Sequence, residues 1–407
     1  MNRLAACLLV VLSGCSGPRT ETPLSVRDMA SPAGAGSGEP NLAVGADGHV
    51  LLSWIEPAGE GRHALKFATL DGETWSAPRT IAQGAGWFVN WADFPALAAL
   101  PDGTLFAHWL AKSGPSTYAY DVQVVTSRDG GRTWSRPVVP HRDGTQTEHG
   151  FVSMTAATAA MGVVWLDGRK TAGAGHGDHG APGAAMALMF TTLDPSGAPG
   201  PETVLDDRVC DCCQTDAARS GDTTLVVYRD RSDKEVRDIS IVRLAGGKWS
   251  APRTVADDRW EINGCPVNGP AVAAEGSTVA VAWFTAANDK PMVKIAFSGD
   301  GGERFERPVQ VDEGRPLGRV DVVMDGDGAL VSWLEQGEAG AAAVRLRRIA
   351  RDGSRGPVAT IAESTGARSS GFPRLARSGS KVVVAWRDAA DPPKVRTAGI
   401  DLAPKAP

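Results

Sequence analysis

Val50-Leu-Leu-Ser-Trp54 is a short apolar run that ends on an aromatic residue, and the same ending returns at Trp109, Trp165, Tyr228, Trp283, Trp333 and Trp386. The gaps between them are 55, 56, 63, 55, 50 and 53 residues, and an internal period of this length marks propellers and solenoids. Ahead of each run lies a glycine turn, as at Asp47-Gly48, Asp102-Gly103, Gly221-Asp222, Glu275-Gly276, Asp327-Gly328 and Ser378-Gly379, which supplies the positive φ of a tight hairpin. Ahead of the turn stands a first strand such as Pro40-Asn-Leu-Ala-Val44 or Pro373-Arg-Leu-Ala376. The run itself reads as a second strand that neighbours cover on both faces, since a half-exposed strand would alternate with polar residues. A third strand follows, for example Val293-Lys-Ile-Ala-Phe297. A fourth opens on Trp75-Ser-Ala-Pro78, Trp134-Ser-Arg-Pro137, Trp249-Ser-Ala-Pro252 and, more loosely, Phe305-Glu-Arg-Pro308. Four antiparallel strands per repeat make a propeller blade.

The count decides how the ring closes. Only 21 residues follow Trp386, enough for a third strand but not a fourth. Glu21-Thr-Pro23-Leu-Ser-Val26-Arg-Asp-Met29 repeats the pattern of Trp249-Ser-Ala-Pro252-Arg-Thr-Val255, so the N-terminal strand is expected to complete the last blade and pair its open edge. The fold class is therefore all-β, a seven-bladed β-propeller of four-stranded antiparallel blades; six blades plus an irregular one is the alternative.

Composition agrees with one large all-β domain: 48 Gly and 27 Pro suit many tight turns, and 42% hydrophobic residues suffice for a continuous core. A net charge of −5 without a basic run argues against nucleic acid, and a monomer is expected. Arg3 followed by the apolar run Leu4–Leu12 reads as a secretory signal, too short to span a membrane. It ends in Leu12-Ser-Gly-Cys15, which resembles the bacterial lipobox. The expected organisation is a signal peptide over residues 1–14, a lipidated Cys15 with a tether over 15–20, and a single propeller domain over 21–407. Export to the periplasm or cell surface follows, most naturally at the outer membrane, with contact to the bilayer through the anchor only.

Ser127-Arg-Asp129-Gly-Gly131-Arg-Thr-Trp134 resembles the Asp-box of the sialidase (neuraminidase) and BNR-repeat proteins, and Ser298-Gly-Asp300-Gly-Gly302-Glu-Arg-Phe305 is a near copy. The Asp carboxylate can accept N–H bonds within its own turn, the glycines allow positive φ, and the aromatic residue fills the space between sheets. In that family the motif lies away from the active site. Blade topology sorts the loops: first-to-second and third-to-fourth turns share one face, while blade-to-blade connections and second-to-third loops share the other. The residues that break the repeat fall on the second face, over blades two to five, where function is expected.

Four cysteines of the expected mature domain lie there, Cys210, Cys212, Cys213 and Cys265. Disulfides are the default after export, with Cys265 paired to one of the cluster; a soft Cu or Zn ion held by the four, or free thiols, are the other readings. His176, Asp178 and His179 stand in a glycine-rich loop that either closes on a metal or is simply solvated. His149 beside Glu148 could form an acid–base pair. Trp87, Trp91 and Trp260 could stack on a sugar ring or pack under their own loops, and Asn263 lies beside the last of them.

The sialidase resemblance implies a carboxylate gripped by three arginines, a Tyr nucleophile paired with a Glu, and an Asp acid–base. The family's Arg-Ile-Pro motif has no counterpart in this chain. Arg169, Arg229, Arg231, Arg237 and Arg387 are available on the expected face, as are Asp93, Glu148 and Asp167, with Tyr118 and Tyr120 in a loop of blade two. Two functions follow: an anchored propeller that binds a glycan, small molecule or soft metal on the cysteine-bearing face, or a sialidase-type glycoside hydrolase built from Asp93, Glu148, His149, Asp167, Arg169 and Arg231. If Cys15 carries lipid, wild-type protein expressed in a bacterial host incorporates a labelled fatty acid and sediments with membranes, and Cys15→Ala does neither; labelling that survives the substitution refutes the anchor.

Overall fold

The computed structural model describes residues 23–157, 159–172 and 185–402. Cys15 and the loop with His176, Asp178 and His179 lie outside them. The expected ring is present: among the described residues, seven antiparallel sheets, four of four strands, two with a fourth strand split in two and one of three strands, with three single turns of 3-10 helix. Blade one comprises Gly38–Val44, Val50–Pro57, Arg62–Asp71 and Arg79–Ala85; blade two Leu97–Ala99, Leu105–Lys112 and Tyr120–Ser127, with Val138 bridging to Val124 in place of a full fourth strand. Blade three contains His149–Ala156, Met161–Asp167, Met186–Leu193 and Thr203–Val209, and blade four Asp216–Ser220, Thr223–Arg229 and Ile239–Ala245. Blades five and six begin at Ala271 and Pro316. Blade seven pairs Arg374–Ser378, Lys381–Asp388 and Lys394–Asp401 with the N-terminal strand Val26–Met29, in a register from Val26 opposite Ile400 to Met29 opposite Thr397.

The second strands are apolar throughout because each blade is sandwiched. In Val50–Pro57, Leu52 and Trp54 point toward blade seven, while Leu51 and Ile55 point toward blade two. Seven hydrophobic clusters fill the seven interfaces between consecutive blades. The repeat aromatics plug these interfaces, and several satisfy their polar atom on an acid two residues on: Trp54 Nε1 donates to Glu56 (2.6 Å), Trp165 to Asp167 (2.8 Å) and Trp333 to Glu335 (3.1 Å). Tyr228, in the same position of blade four, donates its hydroxyl to Asp206 at 2.6 Å.

The third-to-fourth turns carry the expected chemistry. Asp129 accepts from Ser127 Oγ and from the N–H groups of Arg132 and Thr133 at 2.8–3.0 Å, and Asp300 repeats the pattern with Ser298, Glu303 and Arg304. Gly131 has φ +79° and lies against Phe67, which a Cβ would meet at 2.3 Å; Trp134 packs edge-on to the same ring.

The closing strand contributes four ladder pairs and the partial burial of Leu24, Val26 and Met29. Deleting residues 23–29 removes them and exposes the edge of Lys394–Asp401. A loss of roughly 3 kcal/mol follows from the buried apolar area and the ladder bonds, seen by calorimetry as a melting midpoint lower by about 4 °C. An unchanged midpoint means the ring does not depend on this strand.

Candidate functional site

At the loop face the innermost strands of three blades end in β-bulges. The ladder register slips between Gly38 and Asn41 in blade one, between Gly150 and Ser153 in blade three, and between Gly318 and Asp321 in blade six. Each slip contains a non-glycine residue at left-handed φ: Glu39 at 51°, Phe151 at 51° and Arg319 at 55°. Such backbone is costly and concentrates where a side chain or N–H must be re-aimed.

The Phe151 bulge turns its N–H onto Asp93 Oδ1 at 2.7 Å. The other oxygen of Asp93 lies 3.0 Å from the Tyr120 hydroxyl, and Glu148 Oε1 lies 2.7 Å from that same hydroxyl. Tyr120 opens the third strand of blade two, bridges to Glu148 in the next connection, and stacks on Phe88 with centroids 4.0 Å apart. The fit leaves no room: a Cβ on Gly150 would stand 2.0 Å from Asp93 Oδ2 and 2.9 Å from the Tyr120 ring.

A phenol has one proton to give. With two carboxyl groups on one phenolic oxygen, one contact is O–H donating to carboxylate and the other needs a protonated carboxyl donating to the phenol. The electrostatics agree. Burial lifts Asp93 to about 7 against the pull of the Phe151 N–H and Tyr120, and burial lifts Glu148 to about 8 against its bond to Tyr120. Burial and the two acids push Tyr120 well above its usual value. The centre holds one acid and one base over one phenol.

A cavity of about 370 Å³ opens above it, walled by Phe88, Trp91 and Tyr118 and rimmed by Asp211, Arg368 and the Cys212–Cys265 disulfide. That bridge takes two of the four sequence-selected cysteines out of any four-thiolate set. Cys210 and Cys213 are buried beneath it with Sγ atoms 2.7 Å apart, and Arg237 Nη1 lies 3.3 Å from Cys210 Sγ. Burial would raise the Cys210 thiol, but Cys213 and the guanidinium outweigh it and bring it to about 6. A cation entering this cluster would find two thiols beside an existing positive charge.

Behind Glu148 lies a second polar layer. His141 and His149 stack face to face with centroids 3.8 Å apart and planes within 5°. Asp121 lies 3.5 Å from His149 Nδ1, Asp143 3.2 Å from its Nε2 and 3.3 Å from His141 Nδ1, and Asp167 3.9 Å from His149 Nε2. Asp121, His141 and His149 form one group with metal-ligand spacing, and Asp143, His149 and Asp167 another. Parallel stacked rings cannot both aim in-plane lone pairs at one ion, so the first group as built suits one shared positive charge, while the second, with a single imidazole, could hold a metal ion. Burial lowers His149, but Asp121 and Asp143 outweigh it and raise it to about 9; burial and the His149 charge lower His141 to about 4.

The other sequence-selected residues are placed as follows. Asp167 accepts from Trp165 and pairs with Arg169 at 2.7 Å, with Glu202 also on Arg169 at 3.0 Å. Arg229 donates to the carbonyls of Asn268, Arg237 and Phe284. Arg231 pairs with Asp211 and Glu235. Trp87 packs between His63 and Trp109, Trp260 is buried against Phe284 and Arg229, and Asn263 is exposed away from the cavity. Trp91 reaches the cavity while packing on Phe372 and under Arg319, 4.7 Å away. The five arginines therefore do not converge. Arg368, which sequence reasoning passed over, is the one guanidinium lining the cavity among the described residues.

No protein-family model and no curated protein matches the chain. Solved structures share its fold. A protein of unknown function from Dyadobacter fermentans aligns at 16% identity and TM-score 0.52 over 93% of this chain and 98% of its own. The Penicillium chrysogenum α-L-arabinanase complexed with arabinobiose aligns at 13% and 0.50 over 94% and 99%. The Trypanosoma rangeli sialidase in complex with the inhibitor DANA aligns at 10% and 0.50 over 80% of this chain and 56% of its own.

Asp93, Glu148 and His149 all bind protons more tightly folded than unfolded. For the two acids the burial penalty is absent below their unfolded values near 4 and complete above about 8; for His149 the stabilisation is full below about 6.5 and gone above about 9. Cys210, brought down to about 6, works the opposite way as pH rises toward the usual thiol range, but the two acids, Glu39 and His149 together outweigh it up to about pH 8, so the melting midpoint falls by a few degrees from about pH 6 to 8, and Glu148→Gln flattens that decline. A midpoint flat or rising across this window contradicts the assignment.

Proposed function

We propose that this chain is an exported, lipid-anchored propeller that takes a glycan into the cavity above Tyr120 and cleaves a glycosidic bond there. The observation that carries the reading is the Tyr120 hydroxyl held between Asp93 and Glu148, with one proton between the two acids, at the floor of an aromatic-walled cavity. Aromatic faces suit the apolar faces of a sugar ring, and glycosidic cleavage needs an acid and a base with their affinities set apart. Asp93, whose carboxylate the Phe151 N–H steadies, takes the phenolic proton as Tyr120 Oη attacks the anomeric carbon. Glu148 keeps its proton until the departing oxygen needs it. Glu148, now a carboxylate, takes a proton from a water that displaces Tyr120 Oη from the anomeric carbon, and Asp93 returns the phenolic proton. The His149 layer backs Glu148 from behind.

Two of the solved structures that share this fold are a sialidase and an arabinanase, the latter holding arabinobiose. A sialoside carboxylate calls for several guanidinium groups, and only Arg368 lines the cavity among the described residues. A neutral glycan fits better. The apolar run Leu4–Leu12 and the lipobox-like Leu12–Cys15 support carrying such a site to the membrane, facing the periplasm or the cell surface.

Purified mature protein, assayed on a panel of fluorogenic glycosides that includes arabinosides, glucosides, mannosides and a sialoside, is expected to turn over a neutral member. Tyr120→Phe keeps the ring on Phe88 and lowers turnover by about 10³-fold or more while leaving binding. Turnover that survives the substitution removes Tyr120 from the chemistry, and preference for the sialoside overturns the neutral reading.

A further inference from the structure

Beside the main cavity lies a second one of about 380 Å³, lined by Glu39, Ile55, His63, Val89, Trp91 and Arg387 among others. Trp91 borders both cavities, and consecutive residues of one 3-10 turn, Arg368 and Ser369, face the first and the second. The lining contains polar groups only partly paired, Arg387 spending Nη1 on the Ser369 carbonyl at 3.1 Å. Glu39 has a side chain only 8% exposed, and neither of its oxygens takes part in a hydrogen bond; Arg387 Nη1 stands 3.7 Å from Oε1, beyond hydrogen-bond reach. Arg387 Nε and His63 Nδ1 are likewise buried without hydrogen bonds. Burial raises Glu39 to about 7 against the pull of Arg387. The side chain is put there at a cost: Glu39 sits in the blade-one bulge at φ 51°, where Asn or Gly would be more at ease.

Polar atoms left without hydrogen bonds in a cavity suit a ligand that supplies them. An acid and a guanidinium side by side cancel in charge, so neither an ion of one sign nor an apolar molecule fits. What does fit is a molecule whose groups both donate and accept, held against an apolar wall such as Ile55, Val89 and the edge of Trp91. That describes the hydroxyls of a sugar ring. Resting on the glycan reading above, we infer that this cavity is a second sugar subsite, and that one neutral chain lies across Trp91 with one unit over Tyr120 and the next between Glu39 and Arg387.

The test uses calorimetric titration of full-length mature Tyr120→Phe protein with ladders of one to four units of arabino-, xylo-, cello- and manno-oligosaccharides. For the ladder that binds, affinity is expected to rise about tenfold or more from the monosaccharide to the disaccharide. Glu39→Asn and Arg387→Met, each in the same background, abolish that rise and leave monosaccharide affinity as it was. Because Asn tolerates left-handed φ, Glu39→Asn also holds or raises the melting midpoint, which a residue kept for the fold would not do. A disaccharide no tighter than its monosaccharide, or a rise that persists in both variants, overturns the second subsite and leaves the first standing. Failure of every ladder to bind overturns the glycan reading itself.

Discussion

Each blade presents an unpaired strand edge to the axis, and the ring stands only because those edges are satisfied. The first strands of successive blades pack side by side around the centre, yet they make no ladder with one another. Buried carboxylates reach across instead. Asp216 accepts from the Val272 N–H at 2.8 Å, Asp321 from Leu375 at 2.7 Å, and Asp93 from Phe151 at 2.7 Å, each tying one blade to the strand of the next. A carboxylate can do this in an apolar centre because the N–H groups it receives offset part of its desolvation. Asp93 is one of these ties and also a partner of Tyr120. The candidate chemistry is thus grafted onto a stitch the scaffold already needs, and burial that serves the ring is what lifts the proton affinity of the acids.

Much of this could be read from residues alone. The aromatic period gave the blades, the missing fourth strand gave the N-terminal closure, and the Asp129 and Asp300 turns folded as their side chains require. Asp93, Glu148 and Tyr120 stood out because they break the repeat, and they do converge. Asp167 shows the opposite lesson. It looked like a candidate acid, but Trp54-Ile-Glu56 and Trp333-Leu-Glu335 repeat its position, and all three hold an indole N–H. A recurring Trp-x-acid pattern was the available signal.

Other parts were not legible for physical reasons. Nothing in a sequence tells an arginine facing a ligand from one spent on backbone carbonyls, as Arg229 is. Stacking of His141 on His149 joins residues eight apart through a connection of no regular structure. The restriction of the site to blades two to five also missed contributors, since ring closure seats blade seven directly against blade one, with blade six next to it. Arg368, Arg319, Glu39 and Arg387 enter from that side.

The three bulges on the inner rim have an evolutionary consequence. Each interrupts the ladder near the end of its strand, with paired residues on either side of it, so the left-handed backbone is held by the blade rather than by the side chain. In blades one, three and six those occupants are an acid, an aromatic ring and a guanidinium. Equivalent seats around one mouth can therefore be refilled one at a time, each exchange altering what the mouth recognises without reopening the problem of how the disc folds.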